Sequence, residues 1–368
     1  MKIYKDTNVW TEGLERIRYI FDEFDNVIVN FSGGKDSTVV LNLALKVAEE
    51  KNRLPLKVFF IDQEAEWQCV IDYIRIVMQN DKVEPIWLQC PIKIFNATST
   101  DQYWLNCWEE GAEWIREKET YSIHDNNYGT DRFAKLFEAY NKVTYPDTPV
   151  ARISGVRAEE SPARTLGLTT YPSYKWITWG KKENESKRHY TFYPIYDWSY
   201  TDVWKAIHDN NWEYTALYDY MYQHGVKLPQ MRVSNVHHET AVKSLFFLHE
   251  LESDTWAKVT KRVSGVNTVN TLRGDFFVPK ELPYMFNSWL EYRDYLLENL
   301  VPDNKNRETL RRLFGLDMKM YSPKIYDKLI KMHISTILVD DYEQTKRDTF
   351  RASNGRYLLN GRFKGVAT

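Results

Sequence analysis

The chain has 368 residues, 43% apolar and 15% aromatic, more than one compact core usually organises, so two domains or one α/β domain with a large extension are expected. Its 49 Lys and Arg against 51 Asp and Glu give a formal net charge of −2, which removes any bulk electrostatic drive toward nucleic acid and leaves only local basic clusters. Three cysteines without a CxxC pair exclude a disulfide framework and argue against a cysteine-rich zinc or iron–sulfur site.

Residues 8 to 24 carry Trp10, Leu14, Ile17, Phe21 and Phe24 at helical spacing. Asn26 to Phe31 reads as a buried strand that runs straight into Ser32-Gly33-Gly34-Lys35-Asp36-Ser37. A helix with Val40, Leu43, Ala44 and Val47 on one face follows to about Glu50, then a strand at Leu56 to Ile61, a helix at 66 to 79 and a third strand at Glu84 to Gln89. Strand and helix alternating at this spacing predict a parallel, Rossmann-like sheet with right-handed crossovers. Residues 93 to 149 break the alternation and read as an inserted lid. Val150 to Ser154 resumes the core and is closed by Gly155; Tyr193-Pro194-Ile195 and a helix over 200 to 209 come next. From about 230 onward the periodicity is mostly helical, as in Ala241 to Leu251, Trp289 to Leu300 and Ile325 to Leu338. The expected division is an α/β domain over 1–228, with its insertion at 93–149, and a helical extension over 229–368. The first residues lack the apolar core of a signal peptide and no long uncharged apolar run follows, so a soluble cytoplasmic protein without a membrane partner is expected.

The loop at 32–37 is the most specific signal. Its glycines permit positive φ and let backbone amides approach an anion closely. The helix that follows adds unpaired N–H groups and its positive dipole end. Lys35 supplies a point charge, and Ser32 and Ser37 supply hydroxyls. A Walker A loop is excluded, since it needs glycine where Val29 stands.

SGGKDS after a strand resembles the signature of the PP-loop, or N-type, ATP pyrophosphatases, which have an adenine nucleotide alpha hydrolase-like fold. Within them the chain looks most similar to the phosphoadenosine phosphosulfate (PAPS) reductases and the small subunit of bacterial ATP sulfurylase. Three stretches carry the narrower resemblance. Asp62 stands where that family has an Asp-Thr-Gly segment near the adenosine, although Gln63 and Glu64 replace Thr and Gly. Gly155-Val156-Arg157-Ala158-Glu159-Glu160-Ser161-Pro162-Ala163-Arg164 follows its Gly-x-Arg-x-x-x-Ser-x-x-Arg block, and Pro194 to Trp204 follows its Pro-Leu-x-x-Trp-x-x-x-Asp-Val-Trp segment. The region after 228 looks like the extension of a PAPS-reductase-like group from phages and prophages described as co-activators of gene expression.

The resemblance implies ATP, or a related adenine nucleotide, with Mg²⁺ as its companion. The expected nucleotide-binding residues are Ser32, Gly33, Gly34, Lys35, Asp36, Ser37, Asp62, Gly155 and Arg157. Lys35, Arg157 and Arg164 are the expected catalytic cations, the two arginines gripping an acceptor oxyanion or departing pyrophosphate through their bidentate forks. Asp36 and Asp62 are the carboxylates expected near Mg²⁺. Ser161 reads as the N-cap of a helix with Pro162 at its first position, and Asp202 as a first-turn residue. Trp198, Val203 and Trp204 read as packing.

The reductases attack sulfur with a cysteine in a C-terminal Glu-Cys-Gly-Leu-His segment. Here Cys69, Cys90 and Cys107 all precede the arginine block, so that nucleophile is missing and no iron–sulfur cluster or zinc site is expected. His237-His238-Glu239 lacks the i, i+4 partner of a zinc-binding helix. Basic clusters at Lys258, Lys261 and Arg262, at Arg307, Arg311 and Arg312, and at Arg347, Arg351, Arg356, Arg362 and Lys364 read as solvated faces, with protein or DNA contact by the extension as the other reading. The expected functions are ATP-dependent adenylyl transfer or a nucleotide-sensing regulatory module; a sulfonucleotide reductase is the weaker third.

Overall fold

The computed structural model describes residues 5–96, 98, 104–169, 173–183, 188–236, 245–266, 281–301, 303–338, 341 and 344–359. The chain forms two compact units: Met1–Asn96, Tyr103–Tyr218 and Leu228–Asn235 make the first, and Ala97–Gln102, Asp219–Lys227 and Val236–Thr368 the second.

The first unit begins with α1 (Val9–Glu23), whose N-cap Asn8 accepts from the Thr11 N–H at 2.9 Å. It continues through β1 (Asn26–Asn30), α2 (Lys35–Glu50), β2 (Leu56–Ile61), α3 (Gln68–Met78), β3 (Val83–Leu88), a hairpin of β4 (Ile92–Phe95) and β5 (Trp104–Cys107), and α4 (Phe133–Thr144). Then come β6 (Val150–Ile153), α5 (Pro162–Thr169), β7 (Gly180–Lys182), β8 (His189–Phe192) and α6 (Tyr200–Asp209); α7 (Leu217–Gln223) follows, its residues from Asp219 onward counted with the second unit. The sheet order is β3-β2-β1-β6-β8-β7, parallel except for the β7 edge. The strands at Asn26 and Leu56 therefore lie where their β-branched runs placed them. The strand at His189 had no such run, because His-Tyr-Thr-Phe borrows its stability from pairing with β6.

Alternation along the strands sorts the two faces. Phe31, following β1, meets Tyr73 of α3 at 5.7 Å between ring centroids. On the opposite face Phe59 meets Phe137 and Tyr140 of α4 at 5.4 and 4.9 Å. The segment expected to be a lid thus supplies a structural layer: α4 is the helix that covers this face. Trp198 is 1% exposed, touches Trp10 and donates from Nε1 to the Val9 carbonyl at 3.0 Å. Ser199 and Asp202 form a capping box at the start of α6.

The second unit contains α8 (Leu245–Leu251), α9 (Ser253–Arg262), α10 (Trp289–Asn299), α11 (Asn304–Met320), α12 (Tyr326–Leu338) and α13 (Thr345–Asn354). Residues at i, i+4 spacing build its core: Tyr292 and Leu296 of α10, Leu310 and Phe314 of α11, and Ile330 and Ile334 of α12. Asp317 accepts two bonds of 2.7 Å from Arg347 and one of 3.2 Å from His333, tying α11 to α12 and α13. In the basic cluster of α11, Arg311 pairs with Glu298 and Glu308, and Arg307 donates to the Val301 carbonyl. His237-His238-Glu239, the first four residues of the helix expected from Ala241, Arg362 and Lys364 lie outside the described residues. Among the described residues no helix is long and apolar enough to cross a membrane.

Burial raises the Glu250 carboxyl to about 7, against the opposing hydrogen bond from Tyr292 at 2.6 Å. His224, 3.6 Å away, offers no cation at neutral pH because burial lowers it to about 4. A carboxyl raised in the folded state contributes stability that is complete below its unfolded pKa and is lost as pH rises through the folded one. Glu250→Gln is therefore expected to melt close to wild type at about pH 4.5 and to become the more stable protein by pH 7. Thermal denaturation across that window measures the difference, and a constant gap would assign Glu250 no linkage.

Candidate functional site

The strand order reverses direction between β1 and β6, and the crevice above their C-terminal ends is where an open parallel sheet exposes backbone amides and helix N-termini. The 32–37 loop occupies that point. Gly33 has φ +70°, and a Cβ there would lie 2.9 Å from Val70. Gly34 is the N-cap of α2, and Ser37 folds back to donate to its carbonyl at 2.8 Å. The Ser37 hydroxyl also accepts from the Ser32 N–H at 3.3 Å, which closes the loop on itself. Gly155, just past β6, crosses so close to α2 that a Cβ would stand 2.7 Å from the Asp36 carbonyl carbon and oxygen.

A cleft of about 710 Å³ opens over this loop. Its wall includes Ser32, Gly34, Lys35, Asp36, Ser37 and Gly155, with Arg164 and Arg232 among the cations. Lys35 is 4% exposed; its Nζ donates to the Met231 carbonyl at 2.9 Å and lies 3.2 Å from Asp36. The Tyr218 hydroxyl accepts from the Lys35 backbone N–H at 2.9 Å, so Tyr218 and, through Met231, the returning segment 228–235 brace the loop. Ser161 caps α5, accepting from the Arg164 N–H at 3.2 Å, and this sets the exposed Arg164 side chain on the rim, 3.4 Å from Glu160. Arg232 donates to the Glu160 carbonyl.

Three expected site residues are absent from the wall: Gly33, which turns the loop, and Arg157 and Asp62, which stand elsewhere. Arg157 does not line the cleft: it is 4% exposed, its Nε donates to Asp36 and its Nη1 to the Trp198 carbonyl at 3.2 Å. It anchors the loop from behind. Asp62 is fully buried and accepts from Trp87 Nε1 and Gln89 Nε2, each at 3.0 Å, from the Glu64 N–H at 2.9 Å, and from Arg116. These donors saturate it, and it too lies outside the cleft wall. Arg157→Ala is accordingly expected to lower the stability of the ligand-free protein by about 3 kcal/mol, whereas Arg164→Ala shifts it by less than about 0.5 kcal/mol. Parallel thermal melts separate the two roles.

The same observations bear on Mg²⁺. Asp36 is held between Lys35 and Arg157, and Asp62 is paired with Arg116, so neither carboxylate fits a hard dication in this arrangement. Among the described residues no group of three or more His, Cys, Asp or Glu side chains could hold a metal.

Sequence reasoning missed Arg232, an isolated arginine in an irregular segment with no pattern to mark it. It also missed Glu66, a residue of the cleft wall whose buried carboxyl is raised to about 8 by burial and by Asp62. Arg152 had a readable signal: a single arginine inside the apolar strand Val150–Ile153 is a charge placed where charges rarely go.

A switch-point crevice, a glycine loop feeding a helix N-terminus and rim arginines define an α/β protein built to cradle an anionic group. The chain belongs to the phosphoadenosine phosphosulfate reductase domain family, whose pattern matches residues 26–224. A second pattern, a domain of unknown function designated DUF3440, matches residues 225–346. The chain is 29% identical to the uncharacterized protein YbdN of Escherichia coli K12 over 88% of its own length and 83% of that protein's. It is 23% identical to sulfate adenylyltransferase subunit 2 of Vibrio parahaemolyticus, covering 56% of this chain and 65% of the relative, a little under two thirds of that protein. Among solved structures, Candida glabrata FMN adenylyltransferase aligns over 59% of this chain and 62% of that one, at 17% identity and a TM-score of 0.37.

Proposed function

We propose that this chain binds ATP, or a related adenine nucleotide, on the 32–37 loop and cleaves it between the α and β phosphates to transfer an adenylyl group. One observation carries the reading: at the switch point of the sheet, a self-closed glycine loop and the N-terminus of α2 face an open cleft rimmed by Arg164 and Arg232. Backbone amides and the helix dipole stabilise the phosphates, while the rim arginines neutralise charge on departing pyrophosphate. An acceptor oxygen attacks the α-phosphorus in line, the α–β bridging bond breaks and pyrophosphate leaves, without a covalent protein intermediate.

The two buried cysteines, Cys90 and Cys107, do not support sulfonucleotide reduction. Cys107 is buried, and burial raises the buried Cys90 thiol to about 11, away from the thiolate such chemistry needs.

Pyrophosphate release from ATP with Mg²⁺, scanned over candidate acceptors including sulfate, tests the proposal alongside calorimetric binding of ATP and inorganic tripolyphosphate. Arg164→Ala and Arg232→Ala are each expected to weaken both ligands about ten- to a hundredfold. Wild type and Lys35→Ala behaving alike in binding and release would reject it. Binding without release under every condition would instead assign the cleft to nucleotide sensing.

A further inference from the structure

The stretch that follows β2 places three carboxyl groups within five residues, Asp62, Glu64 and Glu66, and the fold treats them differently. Asp62 is paired with Arg116. Glu64, at φ +62°, turns inward, and its carboxyl accepts from the Trp108 N–H at 2.7 Å and the Ile115 N–H at 3.4 Å. The Glu66 N–H donates to the Glu64 carbonyl at 3.0 Å, a turn that sets Glu66 in the cleft wall just before α3. Glu66 is 5% exposed, yet among the described residues no hydrogen bond or ion pair reaches its carboxyl. Neither carboxyl oxygen is sealed off, so the group opens to the cleft.

This carboxyl stands beside the phosphate loop. A Cβ at Gly33 would lie 2.9 Å from Val70, in the first turn of α3 and one helical turn beyond Glu66. Burial and the charge of Asp62 raise the Glu66 carboxyl to about 8 against the opposing pull of Arg116. About one molecule in ten is therefore ionised at pH 7, and a carboxyl poised near the working pH suits proton transfer.

Charge narrows the class of acceptor. The cleft wall carries four cations, Lys35, Arg152, Arg164 and Arg232, against five carboxyl groups. Lys35 is committed to the Met231 carbonyl and Asp36, and Arg152 stands 3.8 Å from Glu183. The two rim arginines serve the pyrophosphate, and Arg157 lies behind the loop paired with Asp36. Once a triphosphate is bound, no cation is left to hold a second oxyanion such as sulfate, and an uncharged acceptor enters without that repulsion. A hydroxyl acceptor must shed a proton as it attacks, which sulfate need not do. We propose that the acceptor of the adenylyl group is an uncharged hydroxyl, and that Glu66 is its general base. The acceptor oxygen bonds to the α-phosphorus as the α–β bridging bond breaks, pyrophosphate leaves with the bonding pair, and the hydroxyl proton passes to the Glu66 carboxylate and then to solvent. The inference rests on nucleotide cleavage at the loop, and tripolyphosphate binding tests that anchor independently.

The test follows pyrophosphate release by the full chain with saturating ATP and Mg²⁺, and identifies the nucleotide product by mass spectrometry. Hydroxylamine and methanol serve as small protic oxygen nucleophiles, sulfate and molybdate as oxyanions. Wild type is expected to release pyrophosphate faster with either protic probe, to form the matching AMP adduct, and to ignore both oxyanions. Its rate with the protic probes climbs with pH to at least about 8. Glu66→Gln is expected to lower that rate about a hundredfold or more and to flatten the climb, while tripolyphosphate affinity stays close to wild type. Release that responds to sulfate or molybdate and not to the protic probes overturns the inference, and so does tripolyphosphate binding without release to either protic probe; neither result needs a variant to fold. A Glu66→Gln protein with the wild-type rate and pH profile overturns it as well. Failure of wild type to bind tripolyphosphate would sink the loop reading instead.

Discussion

Gly155→Ala is expected to weaken ATP and tripolyphosphate binding at least a hundredfold, or about 3 kcal/mol. The added Cβ would stand 2.7 Å from the carbonyl carbon and oxygen of Asp36 and 2.8 Å from the Ser37 nitrogen. Those are backbone atoms at the start of α2, so no side chain can rotate aside. Either α2 withdraws from β6 or the end of β6 bends, and both displace the amides from the phosphate position. Forced overpacking costs about 1–3 kcal/mol of stability, so the variant remains folded and its binding can be read by calorimetry. Wild-type affinity in Gly155→Ala would mean that the phosphates do not sit at this crossing.

Asp62→Ala is expected to destabilise the first unit by about 3–5 kcal/mol whether or not nucleotide is present. The Arg116 side chain is 6% exposed; besides Asp62 it donates to the Glu64 carbonyl, and its guanidinium lies 5.3 Å from the Trp108 ring. Removing the carboxylate strands a buried cation and leaves the Trp87 and Gln89 donors unsatisfied. The loss should register in denaturant melts of the ligand-free protein. A residue that contacted only nucleotide or metal would leave that melt unchanged and lower ligand affinity instead, so the experiment decides between the reading from the motif and the reading from the network.

The contrast between these two residues shows where the chain could be read without its fold. Periodicity placed α1, α2, α6 and α12 to within a residue or two, because each buries a continuous apolar stripe that local spacing records. The loop was equally legible, since strand, glycine pair and helix start are neighbours in the chain and their chemistry needs no distant partner. Ser161 and Asp202 were readable for the same reason: a cap bonds to residues three positions away. Arg157 and Arg164 were not distinguishable, although they share one motif. Their difference is set by Asp36 and the Trp198 carbonyl on one hand and by open solvent on the other, positions as many as 121 residues apart in sequence for the Arg157–Asp36 pair. Asp62 matched a motif, yet its partners Trp87, Gln89 and Arg116 turn it into a buried hub. Arg232 and Glu183 reach the cleft from irregular or edge segments whose own residues carry no period. Local order follows from interactions within a turn or a strand and is written along the chain. Which charged groups face a cleft and which neutralise one another depends on burial and on partners brought together by closure of the sheet, and burial is a property of the folded chain alone.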